Sequence, residues 1–195
     1  MAPVPEARAL LRPAAGALLA FTLLLGVAYP VVLTVVAAWI PAPAPGELVG
    51  QPVKDPRYFS GRPSAVAYDA RTSGGTNLGP SGFVDGRGGL GPNPALRAAV
   101  DARVQAVQTS EVEAGPVPVD LVTSSGSGLD PHISPAAAYV QVPRVARLRG
   151  QPVRVVERLV TAAIEERTLG VLGERRVNVV RLNRALDREL GRLLD

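Results

Sequence analysis

A serine, an aspartate and the only histidine of the chain fall close together at Ser127, Asp130 and His132. These are the residue types of acyl-transfer catalysis, in which a histidine held by a carboxylate takes the proton of a serine nucleophile. The local pattern argues against that chemistry. Gly126-Ser127-Gly128-Leu129-Asp130 is not the Gly-x-Ser-x-Gly turn that exposes a hydrolase nucleophile, and a histidine followed by Ile133 and a helix cap fits a structural role. The only lysine, Lys54, follows Val53 and not a glycine loop, so no Walker A sequence is present. Ser-x-x-Lys is absent. There is no cysteine, which rules out disulfide frameworks, zinc ribbons and thiol nucleophiles, and no His or Cys cluster offers a metal site. The run Ser124, Ser125, Gly126, Ser127 and Gly128 has the composition of an anion-binding nest, although a tight loop is the simpler account. Its hydroxyls exceed what a turn needs, which makes these five residues a candidate partner-docking surface.

The elements that carry these residues divide sharply by hydropathy. From Ala14 to Ile40 there are 27 residues without a charge, about 40 Å of helix against a hydrocarbon core of roughly 30 Å. Trp39 stands at one end, where indoles favour the membrane interface. Pro13 suits a first turn and Pro41 a stop. A cleaved signal peptide needs an apolar core only about half as long, so a permanent anchor is expected. Arg8 and Arg12 precede the span, and Lys54 is the first basic residue after it. Retention of positive charge inside predicts a cytoplasmic N-terminus and an outer C-terminal domain, with a plasma-membrane location. Within the span, Pro30 lacks a donor and its ring crowds the Gly26 carbonyl, which predicts a kink. The Tyr29 hydroxyl needs a partner in lipid. Gly26, Tyr29 and Pro30 are therefore candidates for packing against other membrane helices.

The expected organisation is a cytoplasmic N-terminus at 1–13, a transmembrane helix at 14–40, a Pro-Ala-Gly linker at 41–46 and an extracytoplasmic domain at 47–195. In that domain the patterns predict a short strand over 48–53 and a loop-rich region over 60–94. Asn93-Pro94 opens a helix with Leu96, Val100, Val104 and Val107 on a buried face. A buried strand is expected over 117–122. Ser134-Pro135 starts a helix that ends or bends at Pro143 and resumes to about Arg149. Another follows Gln151-Pro152, with a glycine-flanked turn at Gly170 and Gly173, a strand over 177–179 and a last helix to about Leu194. The fold class is α+β: a single N-terminal transmembrane helix followed by a small mixed α/β domain. Net charge is +4 with a pI of about 10.1, but Arg alternates with Glu and Asp, as on solvated helix faces, and nucleic-acid binding is not indicated.

Several stretches match a known pattern in order along the whole chain: 58–65 (Tyr-Phe-Ser-Gly-Arg-Pro-Ser-Ala), 73–78, 119–136, 141–146, 177–179, Leu182-Asn183 and 185–187. The sequence resembles the C subunit of the bacterial high-affinity potassium-transporting P-type ATPase, the Kdp complex. Phe83 to Pro92 looks like an insertion relative to that family, and Arg181 and Arg184 are more basic than its pattern. The resemblance implies a subunit without catalysis of its own, needed for assembly and activity and described as a catalytic chaperone that raises the ATP affinity of the ATP-hydrolysing subunit. It implies as partners that subunit, a potassium-pore subunit and a small membrane subunit. ATP and potassium are handled by the complex, and no cofactor is assigned to this chain. Since ATP is cytoplasmic and the large domain is expected outside, an effect on ATP would have to pass through the assembly. The competing readings are an anchored extracytoplasmic hydrolase using Ser127 and His132, and a lone anchored binding module.

Overall fold

The computed structural model of the chain describes residues 7–39, 46–76, 78–79, 81–84, 90–111 and 115–191. Two compact units emerge, Met1–Pro43 and Ala44–Asp195.

The first unit is helical. Helix α1 runs Ala7–Leu23, a π-helical turn covers Leu24–Ala28, and α2 runs Tyr29–Ala38. The helix begins earlier than expected, so Pro13 lies inside it rather than in its first turn. Leu10–Ala38 is long and apolar enough to cross a membrane. The π turn answers the proline. Pro30 has no N–H to give, and the Tyr29 N–H reaches back five residues to the Leu24 carbonyl. Widening the turn moves the Pro30 ring away from the carbonyl it would otherwise strike. Thr34 donates its hydroxyl to the Pro30 carbonyl at 2.8 Å.

The second unit is α+β, as expected. An antiparallel pair, β1 (Ser81–Val84) and β2 (Leu90–Pro92), precedes α3 (Pro94–Ser110). A 3-10 turn follows at Val119–Leu121, then β3 (His132–Ile133), α4 (Pro135–Leu148), α5 (Val153–Ala162), β4 (Ile164–Glu165), β5 (Arg176–Asn178) and α6 (Val179–Leu190). The three short strands form an antiparallel sheet in the order β3-β5-β4, with Val177 opposite both Ile133 and Ile164. Helices α4, α5 and α6 and this sheet enclose the core of Phe59, Ile133, Ala137, Val142, Val145, Val156, Val160, Val177, Leu182 and Leu186.

The caps work as their sequences indicate. Asn93 accepts from the Ala95 and Leu96 N–H groups at the start of α3, and Ser134 accepts from Ala137 at the start of α4. Other expectations are corrected. Residues 117–122 hold the 3-10 turn at Val119–Leu121 and no strand: Pro116 and Pro118 give no ladder hydrogen bond, and Asp120 bonds the Ser134 N–H and hydroxyl. Residues 48–53 form no strand: Leu48 closes a turn, Val49 sits in a bend and 50–53 have no regular structure. The α3 face bearing Leu96, Val100, Val104 and Val107 is half-buried rather than buried. Pro143 does not interrupt α4, whose inner face of Ala138, Val142 and Val145 is held by the core on both sides of the proline. Residues 41–45 of the expected linker at 41–46, and the residues beyond Gly191, lie outside the described residues.

Candidate functional site

The Ser-Gly loop is built against the block that begins at Gly61. Ser64 is the knot between them. Its hydroxyl donates to the Gly128 carbonyl at 2.6 Å and accepts from the N–H groups of Val66 and Tyr68. Ala67 and Tyr68 both adopt positive φ, at 51° and 60°, and this turns the Tyr68 ring onto Gly50 and its hydroxyl onto the Arg62 carbonyl. The Gly74 N–H donates to the Ser127 carbonyl at 2.9 Å, and the Gly50 N–H to the Leu129 carbonyl at 2.7 Å. Arg62 reaches the Thr123 hydroxyl and the Ser124 carbonyl, and approaches Asp130 at 3.7 Å.

The five candidate docking residues are thus contiguous but unlike one another. Ser125 is buried, 4 % exposed. Gly128 is buried too, with φ at +68°. A Cβ there would meet the Gly74 carbonyl oxygen and a Val66 methyl, each at 2.7 Å. Ser124 is half-buried, with its hydroxyl shielded from solvent and without a partner. Ser127 is half-buried, and Gly126 alone is exposed. The surface a partner can reach is accordingly Gly126 and Ser127, and an arginine at Ser125 would report on folding rather than docking.

The presumptive triad does not assemble. His132 is held at Nδ1 by Asp130 Oδ1 at 3.0 Å, and its Nε2 faces Glu165 at 3.9 Å. The Ser127 hydroxyl instead accepts from the Leu129 N–H at 3.1 Å. A nucleophile and its base must share a hydrogen bond, and none joins Ser127 to His132 among the described residues. The hydrogen bond from His132 lowers the Asp130 pKa below the usual carboxylate value, helped by the His132 N–H and the nearby Arg62 charge and opposed by burial. No cluster of three or more His, Cys, Asp or Glu side chains suited to a metal occurs among the described residues.

The segment 56–61, which leaves a turn at Pro56–Arg57 and runs on without regular structure, is a feature that local pattern did not reveal. Asn183 on α6 accepts from the Phe59 N–H and donates to the Phe59 carbonyl, both at 2.9 Å. Gln141 on α4 does the same for Ser60, accepting its N–H at 2.7 Å and donating to its carbonyl at 3.1 Å. Two side-chain amides therefore stand in for a neighbouring strand. Arg144 adds bonds to the Pro56 and Tyr58 carbonyls and a buried ion pair with Glu111 at 2.7 Å. Arg149 donates to the Arg57 carbonyl, pairs with Asp187 at 2.9 Å and lies 4.4 Å over the Tyr58 ring. Arg181 and Arg184, flagged as unusually basic, both bond Glu47. Their charge is committed within the chain.

Two cavities flank this strap. One of about 290 Å³ is lined by Lys54, Tyr58, Tyr68, Asp130, Asn183 and Arg184 among others, and one of about 240 Å³ by Ser60, Ser110, Glu111, Gln141 and Arg144 among others. Both fall below the usual size of a small-molecule site, roughly 300 to 1,000 Å³. In the membrane-type helix, Gly26 and Tyr29 sit within or beside the π turn and Pro30 directly follows. The Tyr29 side chain is exposed, and its hydroxyl bonds nothing among the described residues.

Comparison with known proteins places these features in a group. The family model described as "K+-transporting ATPase, c chain" matches residues 11–188. A potassium-transporting ATPase KdpC subunit of Methylococcus capsulatus is 50 % identical over 193 residues, covering 90 % of this chain and 96 % of the relative. The KdpC subunit of Sorangium cellulosum is 52 % identical over 194 residues, covering 91 % and 96 %. That of Polaromonas naphthalenivorans is 47 % identical over 195 residues, covering 91 % and 94 %.

Proposed function

The chain belongs to the KdpC family of K+-transporting ATPase c chains, and from that premise we propose that it is a non-catalytic subunit that joins and activates a potassium-uptake ATPase. The carrying observation is the extent of the match: residues 11–188 take in both the apolar helix and nearly all of the second unit. The reading without catalysis is supported by the His132 ring, engaged by Asp130 and Glu165, and by a Ser127 hydroxyl bonded elsewhere.

In this reading Leu10–Ala38 anchors the chain as a single pass with Arg8 and Arg12 on the cytoplasmic side, and residues 47–195 lie outside the cell membrane. The partners are the potassium-pore subunit, the ATP-hydrolysing subunit and a small membrane subunit. Gly26, Tyr29 and Pro30 pack the span against its neighbours, and the exposed rim at Gly126 and Ser127 contributes to outer docking. A higher ATP affinity of the hydrolysing subunit then arises because the outer unit binds one transport state more tightly than another, which shifts the population of a distant site. Co-expression with the other ATPase subunits and purification in detergent through a tag on this chain tests the proposal. The multi-span subunits should co-purify, and omission of this chain should raise the apparent KM for ATP. Recovery of this chain alone sinks it.

A further inference from the structure

Beyond β4 and before β5 the chain forms a hairpin whose tip has no place in the core. Leu169, Val171 and Leu172 are 86 %, 73 % and 59 % exposed. The arms below them are ruled by ion pairs: Glu165 with Arg176 at 3.0 Å, Glu166 with Arg175 at 2.8 Å and Arg167 with Glu174 at 2.7 Å. Above these rungs the backbone closes on itself. Thr168 and Leu172 exchange N–H to carbonyl bonds at 2.9 and 3.0 Å, and the N–H groups of Gly170 and Val171 are bonded to Arg167 and Thr168. Leu169 and Gly170 both have positive φ, at 54° and 76°. Asn, Asp or Gly suit such a turn position, and leucine does not. Neither the local backbone nor the core accounts for a leucine there.

We propose that the tip 168–172 is a preformed apolar plug that seats in a socket on another protein subunit. That the subunit belongs to the same ATPase rests on the function proposed above. Two observations favour protein over lipid as the occupant. The carbonyls of Leu169, Gly170 and Val171 accept no hydrogen bond among the described residues, and acyl chains offer no donor, whereas a socket with an apolar floor and N–H groups at its rim does. The rungs match three arginines with three glutamates, so the hairpin has no excess of positive charge to draw it to an anionic bilayer. The turn is already ordered, so little conformational freedom remains to be lost on docking.

The absence of cysteine makes the test direct. Leu169→Cys in the full chain, labelled with a benzophenone maleimide in the co-expressed, detergent-purified complex, should on irradiation give an adduct at one site of a partner subunit. Val119→Cys, at another exposed apolar position, should not give that adduct. The double variant Leu169→Asp, Leu172→Asp should recover partner subunits at least tenfold less well with the melting temperature of the full chain unchanged. Adducts only to lipid, to detergent or to a second copy of this chain overturn the plug, as does undiminished recovery by the double variant. If the wild-type chain recovers no ATPase subunit, the functional proposal falls and the plug with it. If it recovers them and the double variant does so equally, the plug alone falls.

Discussion

Gly128 shows how one residue divides a loop that looks uniform in sequence. Its φ of +68° and the 2.7 Å approach of the Gly74 carbonyl to a Cβ there make any side chain strained. Gly126, two residues earlier, has open space around it. Gly128→Ala should therefore destabilise the protein by about 2 kcal/mol or more, and Gly126→Ala by less than about 1 kcal/mol, in denaturant melts. The reverse order would show the loop to be built differently. Composition marked Ser124 to Gly128 as one polar surface. It could not show that the carbonyls of Ser127 and Gly128 face the block around Gly74 and Ser64, because that block is more than fifty residues away. Asp130 adds a pH dependence. Its pKa is depressed in the folded state, so its contribution is present above the ordinary carboxylate value of about 3.9 and is lost as pH falls through the lower folded value. Asp130→Asn should flatten the fall of melting temperature with pH below about 4. An equally steep fall would assign acid sensitivity to other carboxylates. His132→Ala should leave ATPase turnover of the assembled complex within about tenfold of wild type, since general acid–base groups contribute about 100-fold or more. A loss of several orders of magnitude with assembly intact would revive the hydrolase-type reading.

Among the elements, the strap at 56–61 depends on amides from two helices. Asn183→Ala removes both partners of the Phe59 backbone at a fully buried residue, and at ~1–3 kcal/mol for each of the two stranded groups it should destabilise by roughly 2–6 kcal/mol. Asn183→Asp keeps the acceptor and loses the donor, and should fall between wild type and Asn183→Ala if the donor to the Phe59 carbonyl matters. A loss under 0.5 kcal/mol in either case, an amount ordinary for surface changes, would mean that water replaces the amide. The helices were legible because their starts are local. Asn93-Pro94 and Ser134-Pro135 each place a capping oxygen and a donor-free residue in adjacent positions. The apolar period of α5 likewise turns Val156 and Val160 inward. The strap was not legible because its ladder joins side chains to backbone across 81 and 124 residues, a pairing with no period. The apparent strand at 117–122 failed on the same ground: alternation described its side chains, while two prolines and the Asp120 bond to Ser134 decided its backbone.

At the scale of the whole molecule, the α+β class and the single apolar helix followed from hydropathy and period, which suffice when one segment is uncharged and the rest is capped and amphipathic. The proposed orientation rests on Arg8 and Arg12. A reporter active only outside the cytoplasm, fused after Asp195, should be active, and strong signal from a cytoplasm-only reporter would reverse the topology. The π turn at Leu24–Ala28 has one further consequence. A turn closed over five residues instead of four holds one residue more than the regular winding, and a residue is worth about 100° of rotation. The stripes on the span therefore fall out of phase at its middle. Residues spaced by four line up within α1 and again within α2, but a stripe followed up the first does not continue along the second. One helix thus offers two bearings, set apart by a single residue, and deleting Gly26 would bring them back into step at the price of driving Pro30 into the turn beneath it.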